Sequence, residues 1–434
     1  MPASPSLLIV PARFKTGKLY TQIATTSAGV VLASSGDFNV TRATTATRFN
    51  SAGLIESVAS GVPRLDYYTS GGTAGCPALL VEASGSNGIL NSQDTTTSWV
   101  LGATLSSGYT DVIGVSGNNL TVAVSGSSIG SDAGVLRRTP NNVALASGST
   151  YTLSFLMRQT SGHTIGGYYA VITGAGGGNL GGGFNVSGSF SSGQIYNSAF
   201  TTNRIRRVEQ WGTDVYRCSE TFTMTASGTL TQLGLAPTTA VNNPLHPAVG
   251  LGIAFAAPQI ELGAIPTSFI PTTTASATRN AEVINLSGAV SGCIGQTEGT
   301  IYLETNALVS GASDLFCFAR ATTNTVSISK NSSNIIQAIV YTSGPSPAFF
   351  IAASGTVLGN LKIAFAYKTG ESALYINGVP IGTSSTAFSF AAALSEININ
   401  STGFFEGRGN QRISALSLYT NRLTNAELTA LTTL

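Results

Sequence analysis

Apolar and polar residues alternate along much of the chain. In residues 151–156 (YTLSFL) every second side chain is apolar, the pattern of a strand with one buried and one wet face. Short runs rich in Val, Ile, Thr, Tyr and Phe recur at 220–225, 300–304, 361–367 and 413–419, separated by Gly, Ser and Asn. Helical periodicity is almost absent. Many short strands at regular spacing predict antiparallel sandwiches or barrels.

Two local signals are sharper. In residues 373–381 (ALYINGVPI), Asn377-Gly378 supplies the two positive-φ positions of a type I′ hairpin between apolar runs. Pro380 cannot donate to a ladder, so the returning strand is expected at a sheet edge. Near the C-terminus, Thr424 and Glu427 form a capping box, with Leu423 and Leu428 placed for a hydrophobic staple. One helix is expected there, running to about Leu431.

Three regions follow: an N-terminal module over 1–85, a first large β-domain over 86–271, and a second β-domain over 279–434 closed by the capped helix. Pro266, Pro271 and the Thr-rich stretch 272–278 predict a linker between the two. The fold class expected is all-β, two jelly-roll or sandwich domains after a small N-terminal module.

Composition narrows the function. Of 434 residues only 9% are charged, while 42% are hydrophobic and the net charge is +2. Disorder needs the reverse balance. The surface must be covered by hydroxyls, amides and glycine backbone, which favours association. Phosphate neutralisation needs clustered cations. Arg204, Arg206 and Arg207, with Arg137 and Arg138 after them, read as strand faces or salt links, so no nucleic-acid partner is expected. No apolar run reaches membrane-span length, and residues 1–10 lack a basic segment and a long apolar core, so neither membrane insertion nor export is expected. Cys76, Cys218, Cys293 and Cys317 match no metal spacing and are expected as buried thiols.

Catalytic patterns are lacking. The two histidines, His163 in a turn-like context and His246 between prolines, have no nucleophile elbow beside them. Acidic residues are scattered, without the paired strand carboxylates of a glycosidase. Residues 176–181 (GGGNLG) fit a dinucleotide fingerprint only formally, since no helix follows, and are expected as a loop. Lys18 follows Gly17 but lacks the upstream glycine of a phosphate loop. No enzyme, no cofactor and no metal are expected. Trp211 is expected in the core. Trp99, after a polar stretch, is the candidate ligand-binding aromatic.

Residues 37–56 (DFNVTRATTATRFNSAGLIE), 62–67 (VPRLDY) and 76–82 (CPALLVE) resemble a segment common in bacteriophage virion proteins. In those proteins it precedes a carbohydrate-binding-module-like jelly roll. Such a jelly roll finishes with phrases like 258–263 (PQIELG) and 266–272 (PTSFIPT), and 277–283 (ATRNAEV) resembles the start of the following domain. Residues 299–304, 374–378, 413–419 and 422–428 resemble a concanavalin A-like or laminin-G-like sandwich. The resemblance implies a tail, fibre, collar or capsid-decoration subunit, carried on the virion after synthesis in the bacterial cytoplasm. Its implied partners are other virion proteins and copies of itself. The alternative is an adhesin that binds host-surface polysaccharide; a depolymerase is a third reading.

Overall fold

The computed structural model describes residues 4–9, 11, 14–20, 22–23, 37–68, 75–93, 99–101, 106–110, 119–124, 136–138, 142–159, 165–174, 178–185, 200–211, 215–237, 252–287, 292–307, 313–319, 324–331, 333–342, 347–355, 359–399 and 410–434. They form two antiparallel β-sandwiches and one short helix. His163 and His246 lie outside the described residues.

The first sandwich is a jelly roll of two six-stranded sheets. In one, Ser106–Thr110, Asn119–Val124, Gly252–Leu262, Thr150–Gln159, Val215–Met224 and Thr201–Gln210 lie side by side in that order. The other centres on Gly228–Pro237, flanked by Leu136–Arg138 and Ile165–Thr173. Between them Phe155, Phe184, Phe222 and Phe255 are buried, with Phe155 edge-on to Phe184 at 5.5 Å. Gly252–Leu262 holds its register through a bulge. Phe255 and Ile260 face the same core although five residues apart, because Ala257, at φ 50°, is the extra residue. The bulge also accommodates Pro258 in an interior strand and turns Gln259 and Glu261 outward toward the other sandwich.

The second sandwich has two nine-stranded sheets enclosing an aliphatic core. Its strands come from both ends of the chain. Leu7–Ile9 pairs with Gln411–Tyr419, with Leu7 opposite Leu418. Phe38–Thr41 pairs with Val283–Ser287, with Val40 opposite Ile284. Ala78–Val81 pairs with Gln411–Tyr419 further along. The region set apart as an N-terminal module therefore supplies strands to the 279–434 sandwich, because Leu7, Ile9, Phe38, Leu79 and Val81 can be buried only in that shared core.

The ends of the jelly roll also meet. Gly85–Asn87 and Ala277–Arg279 form their own two-stranded ladder, Gly85 opposite Arg279. The stretch 272–278 is tied at both ends: Thr272 is buried, its hydroxyl bonding Ser92 and the Ile89 carbonyl, and Ala277 and Thr278 lie in the ladder, while 273–276 between them are exposed.

The local signals hold. Asn377 and Gly378 have φ of 50° and 80°, and Val379–Ser384 is an edge strand. The helix Asn425–Thr432 has its capping box, and Leu423 and Leu428 pack together on the outer face of the sheet. One expectation is corrected. Residues 178–181, from the stretch expected as a loop, begin the strand Gly178–Asn185, which pairs along Ile165–Thr173. Its glycines are a packing requirement: a Cβ at Gly178 would enter the Phe200 ring, and one at Gly182 would lie 2.9 Å from the Glu220 carboxylate.

Candidate functional site

Where the two sandwiches touch, the phrases scattered through the sequence converge on one buried network. Arg64, fully buried, donates through Nε to Glu282 at 2.7 Å and through Nη1 to Glu82 at 2.8 Å. Arg42 reaches Glu282 at 3.0 Å, and Arg279 reaches Glu82 at 3.1 Å. Glu82 also accepts from the Ser268 N–H and hydroxyl. Burial alone would lift the Glu82 carboxyl, but Arg279 and Arg64 outweigh it and hold it well below the usual carboxylate range. Glu261 accepts from Thr267, and Asn87 bridges Pro258 and Ile270. The arginines pair with Glu82 and Glu282, so these charges can exist in a dry interior, while Glu261 is met by neutral hydrogen-bond donors and burial pushes its carboxyl up.

Beside this network the sandwiches leave a cleft of about 280 Å³. Asp66 shapes one wall: its carboxylate accepts from the Phe49 N–H at 2.7 Å and from Arg412 Nε at 2.6 Å. Arg412 lies 4.3 Å above the Tyr68 ring. Opposite, Trp211 meets Phe49 edge-on at 4.5 Å and carries the Arg217 guanidinium 4.8 Å above its ring. Trp211 and Phe49 are buried, whereas Tyr68 is half-buried. Burial, followed by the Glu209 charge, pushes the Tyr68 hydroxyl up to about 12, so it stays protonated and able to donate. Asn306 and Gly359 of the second sandwich complete the rim.

An aromatic face, amide and guanidinium donors and carboxylate acceptors in one cleft suit a ligand with hydroxyls on its edges and an apolar C–H face. The size is just under the usual range for small-molecule sites.

The structure corrects the sequence candidate. Trp99 is 5% exposed in the jelly-roll core and donates its indole N–H to the Asn91 carbonyl at 3.1 Å, so it presents no surface to a ligand. Trp211 is a core residue as expected, though it backs the cleft. The basic cluster divides by strand alternation. Arg204 and Arg206 both pair with buried Glu220, while Arg207, on the other face, lines the cleft. Tyr68 and Arg207 were not singled out as site residues; the period-2 rule applied to residues 204–209 was the available signal for Arg207. Cys218 and Cys293 are buried free thiols as expected, whereas Cys76, expected buried, is an exposed one. Among the described residues no group of three or more His, Cys, Asp or Glu could hold a metal, and no helix is long and apolar enough to cross a membrane.

No protein-family model matches this chain, and no curated protein matches it. Solved structures do. The leech intramolecular trans-sialidase complexed with 2,7-anhydro-Neu5Ac is 17% identical, with a TM-score of 0.27, over 32% of this chain and 23% of that one. This chain thus spans less than a quarter of that enzyme's length. The CBM40 module of the Ruminococcus gnavus IT-sialidase bound to α2,3-sialyllactose is 16% identical, with a TM-score of 0.29, over 32% of this chain and 84% of the module. The SAP-like pentraxin of Limulus polyphemus is 17% identical, with a TM-score of 0.26, over 31% and 70%. None of these three is a virion protein. At these scores the likeness carries no argument about what this chain does.

Proposed function

We propose that this protein binds a glycan, without transforming it, in the cleft between its two sandwiches. The observation that supports this reading is the cleft itself: a half-exposed tyrosine beside guanidinium, amide and carboxylate groups held in place by a rigid buried network. Aromatic faces take the C–H side of a sugar ring, and flanking polar groups take its hydroxyls. A non-catalytic role is supported by two of the three carboxylates that line the cleft, Glu209 being the third. Asp66 is committed to Arg412, and Glu82 to Arg64 and Arg279, which leaves neither poised to give up or accept a proton.

The test is isothermal titration of the whole chain against host-surface polysaccharide fragments, with chain length of the glycan followed over time. Binding that weakens about tenfold in Tyr68→Ala supports the reading, since an aromatic contact of this kind is worth on the order of 1 kcal/mol. Retention of no glycan, or affinity unchanged by Tyr68→Ala, overturns it. Shortening of the glycan overturns the non-catalytic part.

A second reading, that the chain is a phage virion subunit assembling with other virion proteins and with copies of itself, rests on the sequence resemblance alone. Arg42, Arg64, Glu82, Glu261, Ser268, Arg279 and Glu282, all from the phrases that resemble virion proteins, belong to one junction. The two readings are compatible if the particle displays the cleft.

A further inference from the structure

The guanidinium groups around the cleft are not equally occupied. Arg48 is paired with Glu56 at 2.6 Å and Arg412 with Asp66. Arg217 donates to the Thr267 carbonyl and Ser154 and covers Trp211. Arg207 differs. It lines the cleft from Thr201–Gln210, its Nη1 is buried, and among the described residues that nitrogen has no hydrogen-bond partner. A buried charged donor without an acceptor is costly, and the cost is relieved by an acceptor that arrives with a ligand. A planar carboxylate is the group that best fits a guanidinium with a donor left over.

Glu209 stands two residues along the same strand face, also lines the cleft, and lies 3.4 Å from the Trp211 indole N–H. Its negative charge repels an anion placed on its own side. An anionic group is therefore steered to the Arg207 side, and Glu209 is left to accept from hydroxyls. Resting on the glycan-binding reading above, we infer that the cleft selects a sugar carrying a carboxylate, with Arg207 as the residue that receives it.

The experiment uses matched acidic and neutral probes on the intact chain: galacturonate oligomers against their carboxyl-reduced forms, and sialyllactose against its carboxyl-reduced form. Each is titrated into wild type, Arg207→Gln, Arg207→Lys and Tyr68→Ala, with the melting temperature of each variant measured alongside. Wild type is expected to prefer at least one acidic probe over its neutral partner by about tenfold, the range of a hydrogen bond to a charged group. Arg207→Gln is expected to bind the two members of that pair equally, at the wild-type affinity for the neutral one. Arg207→Lys should retain part of the preference, because it keeps the charge but loses the fork. Tyr68→Ala should weaken both members together and leave their ratio unchanged. If wild type binds acidic and neutral members equally, or if Arg207→Gln keeps the preference at an unchanged melting temperature, the inference is overturned while glycan binding stands. If wild type binds none of the probes and no polysaccharide fragment, the reading beneath it falls as well.

Discussion

The jelly roll draws its strands from a continuous stretch, whereas the second sandwich is assembled from segments more than 200 residues apart. Their interiors differ accordingly. The jelly roll is filled by aromatic rings and needs glycine where a ring or carboxylate crosses close to a strand. The second core is mainly aliphatic, and its distant segments are fastened outside that core by buried ion pairs such as Arg42–Glu282 and Arg64–Glu282. A continuous domain can rely on shape alone. A domain closed from both ends of a chain needs contacts that also fix which segments meet, and paired charges do so because a wrong pairing strands a charge in a dry interior.

The two tryptophans allow this contrast to be tested, since Trp99 reports the jelly-roll core and Trp211 the junction. In Trp211→Phe and Trp99→Phe backgrounds, guanidinium unfolding followed by fluorescence reads each region separately. The largest effect is expected from Arg64→Ala, which leaves Glu82 and Glu282 short of a partner and should cost about 3–5 kcal/mol. The Trp211 transition should move far more than the Trp99 transition; equal shifts would erase the distinction between the jelly-roll core and the junction.

Acid should act on the same side of the contrast. Because the Glu82 carboxyl is held below its ordinary value of 4.5, its contribution is complete above that pH. It should fall away as the pH drops toward the lowered folded value, by on the order of 2 kcal/mol. Glu82→Gln should flatten that dependence at the junction, and an unchanged acid profile of the Trp211 transition would remove the ion pairs from the explanation.

Gly182→Ala probes the opposite side. The new Cβ would sit 2.9 Å from Glu220 and 3.0 Å from the Tyr168 ring, and overpacking of this kind costs about 1–3 kcal/mol. Here the Trp99 transition should move and the Trp211 transition should lag. The smallest effect belongs to Thr424→Ala, which removes the helix N-cap for about 1 kcal/mol. Calorimetry should show it in the second sandwich alone, where the helix packs.

What could be read from the sequence was local. The Asn377-Gly378 turn and the Thr424 cap are each decided by neighbours within a few residues and are present as expected, whereas 151–156 is a strand buried on both faces: Thr152 and Ser154, expected on a wet face, are covered by the neighbouring strands. The pairing of Val40 with Ile284 is not written in either segment, because alternating apolar strands are interchangeable until a core is built around them. Trp99 follows a polar stretch, yet its burial depends on sheets that arrive later in the chain. The glycine-rich strand at 178–185 was hidden because its side-chain pattern is empty where neighbouring rings intrude. For the site, the charged residues were visible but their grouping was not. The same arginines and glutamates look scattered along the chain and become a network only after folding.

The ladder between Gly85–Asn87 and Ala277–Arg279 carries a consequence for the history of such chains. Partners across an antiparallel ladder lie about 5 Å apart, so the polypeptide departs on its long jelly-roll excursion and comes home to the same doorstep. Such a cassette can be lifted out and another dropped in, provided the newcomer's termini meet at that spacing. Recombination can then rewrite half of a recognition surface while the chassis around it keeps its wiring.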